Sequence, residues 1–229
     1  MTTVVGISHE DPNVALLAAD RQGTIMLEGR AQEKSMGHRK LFLDKDGNYA
    51  LGHSGAYDEK TAELIEKIQS GKIDMKAVVE SGKFEELREL NLGRLGRKTP
   101  DLERMSSFLL ISRYDGKTRL QTCWPLGDVE NRGLTYIGSG SQRAAEYFNA
   151  RKTLSQTRDY RRLKNDKTEI ADIIVAGLEA VRYAQMIDIH SSGLDLVVAT
   201  PEGLKDHETS LSDDFFARKL KTICRDYKK

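Results

Sequence analysis

Cysteine is scarce in this chain: Cys123 and Cys224 are the only two in 229 residues. So low a count is unlike a disulfide framework or a structural zinc site. Cys224 stands in a Lys/Arg-rich tail, ARKLKTICRDYKK, where positive charge can lower a thiol pKa. No base or orienting partner stands beside it, so two unpaired thiols are expected. Charge of one sign is also missing: 36 Lys+Arg against 35 Asp+Glu leave a formal net charge of +1. That balance makes no field to attract nucleic acid or an anionic membrane, and neither partner is expected. No apolar run approaches the roughly 20 residues that span a bilayer. A short strand-like run follows Met1 at once, with no signal-peptide pattern, so a cytoplasmic chain is expected. No arrangement of His, Asp, Glu or Cys has convincing metal-ligand spacing. Gly138-Ser139-Gly140-Ser141 lacks the lysine and the full spacing of a phosphate-binding loop. No metal and no cofactor are expected.

What is present is enough chain for one substantial core, and residues 1–229 read as one domain. Residues 2–8 and 14–19 are rich in Val, Leu and Ile around Glu10-Asp11-Pro12-Asn13, which predicts two strands and a turn. Residues 40–44 and 48–52 flank Lys45-Asp46-Gly47, a hairpin signal. Helical periodicity then covers 57–69, with Leu64, Ile65 and Ile68 on one face, and more weakly 74–92. Strands follow at 106–113 and 117–124 around Tyr114-Asp115-Gly116, and at 133–137. A helical pattern runs from about 142 to 153, and 154–167 reads as a solvated loop or frayed helix. The clearest helix is 168–186, with Thr168 as N-cap and a stripe of Ile170, Ile173, Ile174, Leu178 and Val181. A last strand at 194–200 precedes a helical tail from about residue 207. Strands in adjacent hairpins, with helices grouped between them, predict an α+β protein of antiparallel sheets covered by helices.

Several short polar motifs sit at the strand ends, where a rigid scaffold commonly carries chemistry. Thr2 follows Met1 directly and is small enough for the initiator methionine to be removed. The chain would then begin with a free α-amine, of pKa near 8, beside a hydroxyl: a threonine nucleophile carrying its own base. Alone, Met-Thr-Thr says little. It is followed in order by Leu17-Ala18-Ala19-Asp20-Arg21, Arg39-Lys40-Leu41-Phe42, Gly52-His53-Ser54-Gly55, Tyr136-Ile137-Gly138-Ser139-Gly140-Ser141 and Asp188-Ile189-His190-Ser191-Ser192-Gly193. This series resembles the β subunits of the 20S proteasome, over nearly the whole chain to about residue 205.

The resemblance implies a four-layer αββα sandwich, two antiparallel sheets between helix layers, as in the N-terminal-nucleophile hydrolases. It implies Thr2 as nucleophile, flanked by Asp20 and Lys40. A cation there lowers the pKa of the threonine groups, and the acid holds the cation in place. Gly55 matches the oxyanion position, where a backbone N–H fixed in advance meets developing charge. Ser139 matches the serine beside the threonine amine, with Ser141 as the alternative. Asp188 matches the aspartate that orients this network. For its companion serine, Ser191 has the spacing and Ser192 the glycine neighbour, and the choice stays open. Gly23 and Thr24 begin a segment, running to His38, that the resemblance lays along the substrate cleft. His38, Phe42, His53 and Tyr57 fall near positions that line the primary specificity pocket, a lining that suits a large or polar side chain.

The chain also departs from the family. The first turn and the Asp20-to-Lys40 segment are longer than usual, and only Met1 precedes the threonine where many members carry a propeptide. The short bacterial member that partners an unfoldase usually has Gly-Asp-Gly-Gln where this chain has Ala-Asp-Arg-Gln. The implied activity is that of a threonine-type endopeptidase acting on peptides or unfolded proteins. Stacked homo-oligomeric rings and an ATP-dependent unfoldase are its implied partners. Two other functions fit the same pattern: a ring-forming homologue with little peptidase activity, and an amidohydrolase acting on a small amide.

Overall fold

Two hairpins begin the two sheets. The computed structural model describes residues 2–21, 23–27, 30–35, 39–95, 105–155, 170–185, 193–209 and 221–227, with backbone alone over 23–27, 30–35, 151–155 and 208–209. In the first hairpin β1 (Val4–Ser8) pairs with β2 (Ala15–Asp20), from Val4↔Ala19 to Ser8↔Ala15. Its turn is closed by Asp11, whose carboxylate accepts from Asn13 N at 2.9 Å and whose carbonyl accepts from Val14 N at 3.0 Å. After a ribbon of β3 (Gly23–Leu27) and β4 (Arg30–Ser35), the second hairpin joins β5 (Leu41–Leu43) to β6 (Tyr49–Ser54).

Three helices follow: α1 (Glu59–Gln69), α2 (Met75–Ser81) and α3 (Glu85–Leu95). Asp58 and Asp74 cap α1 and α2, each accepting backbone N–H groups of its own first turn. The chain then makes β7 (Ser107–Tyr114), β8 (Lys117–Cys123), β9 (Val129–Asn131) and β10 (Leu134–Ile137). Two more helices, α4 (Ser141–Ser155) and α5 (Ile170–Gln185), precede β11 (Leu194–Thr200) and β12 (Gly203–Thr209). Residues 221–226 are helical.

The strands form two five-stranded antiparallel sheets, ordered β10-β1-β2-β11-β12 and β5-β6-β7-β8-β9, with β3-β4 as a separate pair. Period-two alternation sorts their side chains into three apolar clusters. Val4, Leu17, Ala19, Ala50, Leu109, Ile111 and Val197 meet between the sheets. Val5, Leu16, Ala18, Leu196 and Val198 face α4 and α5 on the first sheet's outer side. Tyr49, Leu51, Phe108 and Leu110 face α1, α2 and α3 on the second's. β2 and β11 are therefore buried on both faces, which is why they read as apolar runs interrupted by Asp20 in β2 and by Asp195 and Thr200 in β11. Each fully buried leucine among them contributes about 2 kcal/mol of transfer free energy.

The expected α+β arrangement of antiparallel sheets and covering helices is present. Three local expectations change. The single helical stretch at 74–92 is two helices, because Gly82 takes a left-handed C-cap at φ +68 and its N–H closes on Val78 O. The ribbon β3-β4 and the strands β9 and β12 were not legible, since their sequences are short or polar on both faces. β12 also carries the chain to Thr209, two residues past the expected start of a helical tail. The 154–167 segment lies outside the described residues from 156 onward. No helix among the described residues is long and apolar enough to cross a membrane.

Candidate active site

The register of β1 against β2 sets Thr3 beside Asp20, one step beyond the Val4↔Ala19 pair. Asp20 N donates to Thr3 O at 3.2 Å, and Thr3 N donates back to Asp20 Oδ1 at 2.9 Å. Lys40, just before β5 in the other sheet, reaches the same oxygen with Nζ at 2.7 Å. Both groups are removed from water, with side-chain exposure of 6% for Lys40 and none for Asp20. Burial pulls the Lys40 ammonium below the ordinary lysine value, while Asp20, by charge and hydrogen bond, and Asp195, by charge, pull the other way. A lysine so depressed gives up a proton more readily than a surface lysine does. The 2.7 Å contact nonetheless makes Asp20 and Lys40 a buried ion pair, bonded to Thr3 and so one residue from Thr2.

Thr2 is held by the turn between β10 and α4. Its backbone nitrogen donates to Ser139 Oγ at 2.9 Å, and its carbonyl accepts from Gly140 N at 2.9 Å. Of the two candidate serines, Ser139 is the one bonded to Thr2, while Ser141 opens α4. Position 140 has room for glycine alone: a Cβ there would be driven into Thr3 Oγ1, on a residue with no exposure of its own. The close approach of this turn to the start of β1 is what brings the Ser139 hydroxyl to the Thr2 nitrogen.

Gly55 lies at the end of β6, two residues past His53, whose N–H donates to Lys40 O at 2.9 Å. Its φ of +109 and the press of the Met105 carbonyl against its Cα exclude any side chain there. His53, Phe42 and Tyr57 gather on the helix-facing side of the second sheet. The His53 and Tyr57 rings meet edge-on at 5.8 Å, and Phe42 stacks on Tyr57 at 6.4 Å. Tyr57 is exposed, whereas His53 is buried with Nε2 3.2 Å from Ser106 Oγ. Gly23 and Thr24 lie in β3, paired with Ser35 and Lys34. His38, Asp188, Ser191 and Ser192 lie outside the described residues, as does Met1.

The structure adds residues that the motifs did not single out. Asp195, fully buried in β11, is paired by Arg21, with Nη2 at 2.6 Å and Nε at 2.8 Å from Oδ1. Burial raises the Asp195 carboxyl above the usual range, with the Arg21 hydrogen bond and charge pulling against it. An aspartate interrupting the apolar run LDLVVAT was the available signal. Asp20 Oδ2, Asp195 Oδ2 and Thr3 Oγ1 are buried without a hydrogen-bond partner among the described residues. Asn91 and Arg94 of α3, both buried, are a second addition, and their contacts converge on Ser106 and on the 56–61 segment. Polar residues on a weakly amphipathic helix give no warning that they point inward. In comparisons with known proteins, no protein-family model and no curated protein matches this chain.

Proposed function

We propose that the chain is a threonine-type endopeptidase subunit, with the four-layer αββα fold of the N-terminal-nucleophile hydrolases, that acts through Thr2 once Met1 has been removed. The observation that carries this reading is one arrangement: the Thr2 nitrogen on Ser139, with the buried Asp20–Lys40 pair one residue away. Freed of Met1, that nitrogen becomes an α-amine within reach of a hydroxyl, which suits it to receive the Thr2 Oγ proton directly or through water. Thr2 Oγ then attacks the peptide carbonyl, the new tetrahedral oxyanion is met by the Gly55 N–H, and the amine leaves with a proton. Water hydrolyses the resulting ester and restores the threonine. Lys40, charged and held by Asp20, lowers the cost of the developing alkoxide at Thr2. The β3–β4 segment serves as a wall of the substrate cleft, and His38, Phe42, His53 and Tyr57 as its specificity surface. Assembly into stacked rings, with an ATP-dependent unfoldase to feed them, belongs to the same proposal, because an open site of this kind would attack any accessible chain.

Intact-mass measurement of the purified protein, with and without a peptide acylating probe, tests the reading. The expected result is loss of Met1 and a single adduct on Thr2, abolished in Thr2→Ala. A chain that cleaves peptides while retaining Met1, or with alanine at position 2, refutes it.

A further inference from the structure

The β6–β7 ladder stops at Ser54↔Ser107, and the next rung would pair Gly55 with Ser106. That pair would not be a hydrogen-bonded one: Arg113 N donates to Asn48 O, so alternation turns the backbone groups of Ser106 toward β8, where the next residue in register is Pro125, which has no N–H to give. Asn91 Oδ1 accepts from Ser106 N at 2.8 Å and Asn91 Nδ2 donates to Ser106 O at 2.9 Å, so both backbone groups of Ser106 are satisfied by one amide. The same Nδ2 also donates to Pro125 O at 2.9 Å. Asn91 thus completes the rung that Pro125 cannot, pinning Ser106 to the β8 side, and among the described residues none accepts from Gly55 N–H. Arg94, one turn further along α3, ties Ser106 to the segment that follows Gly55. Its Nη1 donates to Ser106 Oγ at 2.8 Å, and its Nη2 lies 2.7 Å from Asp58 Oδ1, 2.6 Å from Thr61 Oγ1 and 3.4 Å from Ala56 O. The guanidinium is buried, so these bonds are made in a low-dielectric setting where charge-assisted contacts are strong. One face of α3 therefore fixes Ser106, whose Cα lies against Gly55, and the segment 56–61 that follows Gly55 in the chain.

We propose that Asn91 and Arg94 are positioning residues for the oxyanion donor, fixing Ser106 and the 56–61 segment around Gly55 so that its N–H stays aimed at the reacting carbonyl. The inference rests on the peptidase reading of Thr2 and Gly55. A purely structural role for α3 would predict stability loss without a selective effect on acyl transfer, so the test needs two readouts of Thr2. The first is hydrolysis of fluorogenic peptides, which forms an oxyanion. The second is labelling of Thr2 by a peptide vinyl sulfone, which alkylates the hydroxyl without passing through a carbonyl oxyanion.

In Arg94→Lys, kcat is expected to fall about 10- to 100-fold, with KM and the labelling rate held within about 3-fold. Asp58→Asn keeps an N-cap for α1 and removes only the carboxylate that anchors Arg94. It is expected to show the same split at about 3- to 10-fold and serves if Arg94→Lys does not fold. An unchanged kcat in these variants, or a kcat that falls in step with labelling, overturns the positioning role while leaving the peptidase reading standing. A wild-type chain that neither hydrolyses peptides nor labels at Thr2 removes the peptidase reading and this inference together.

Discussion

Replacing Lys40 by methionine keeps the length and apolar stem of the side chain and deletes its charge. What remains is the Asp20 carboxylate, without solvent exposure and with the Thr3 N–H at 2.9 Å as its remaining hydrogen-bond donor among the described residues. Two routes give the size of the effect. Breaking a buried ion pair by removing one partner costs about 3–5 kcal/mol. A stranded carboxylate can also escape by taking up a proton, and protonating an ordinary aspartic acid at pH 7 takes about 4 kcal/mol, which sets a ceiling. The variant is therefore expected to lose about 3–4 kcal/mol at pH 7, a melting shift on the order of 10 °C for a chain this long. Because the escape route costs about 1.4 kcal/mol less for each unit of falling pH, the deficit shrinks to about 1 kcal/mol near pH 5. Asp20→Asn in the same chain removes the charge but leaves an oxygen for Thr3 N–H, and is expected to recover about 2 kcal/mol. Urea unfolding of the wild type, the single variant and the double variant between pH 5 and 7.5 measures all three. A loss below about 1 kcal/mol at pH 7, a loss independent of pH, or no rescue by Asp20→Asn would refute the assignment of Asp20 and Lys40 as a coupled buried pair.

Gly140→Ala places a Cβ against Thr3 Oγ1 on a buried strand end that cannot retreat, so a loss of about 2 kcal/mol or more is expected, with Ser139 pushed off the Thr2 nitrogen; thermal melting together with Thr2 labelling checks both. Ser139→Ala removes a partly solvent-exposed bond, so stability should stay within about 1 kcal/mol while peptide hydrolysis falls about ten-fold or more. Normal hydrolysis in that variant would take Ser139 out of the mechanism. At Asp58, burial raises the carboxyl, but the Thr61 N–H and the Arg94 charge outweigh it and hold the group below the ordinary aspartate value. A carboxylate depressed in this way stabilises the fold above its unfolded pKa and loses that contribution as pH falls through the lower, folded one. Asp58 is half exposed, so the effect is below about 1 kcal/mol. The stability gap between wild type and Asp58→Asn is expected to be level above about pH 5 and gone below about pH 3 in urea titrations.

Local chemistry carries much of this fold on its face. β2 and β11 announce themselves because burial on both sides demands apolar residues at nearly every position, Asp20, Asp195 and Thr200 excepted, and α5 because its stripe has helical period. Turns at Asp11-Pro12-Asn13 and Asp115-Gly116 follow from residues that close on their own backbone or accept positive φ. The edge strand β12 carries no such signature, because a strand half in water tolerates charge at any position, and the short ribbon strands β3 and β4 show no alternation of apolar and polar residues. The break at Gly82 was hidden because a glycine inside a helical pattern is tolerated as often as it terminates one.

At the site, the candidate residues could be named one by one, but their meeting could not. Thr2 and Ser139 are 137 residues apart, and what joins them is the pairing of β10 with β1. Lys40 reaches Asp20 across two different sheets. Asn91, Arg94 and Asp195 escaped notice because a polar side chain in a sequence is read as a surface one until packing shows otherwise. A chain's residue types state which chemistry is available. Which groups share an oxygen, and which lose their water, depends on long-range pairing and burial, and neither is a property of any local stretch.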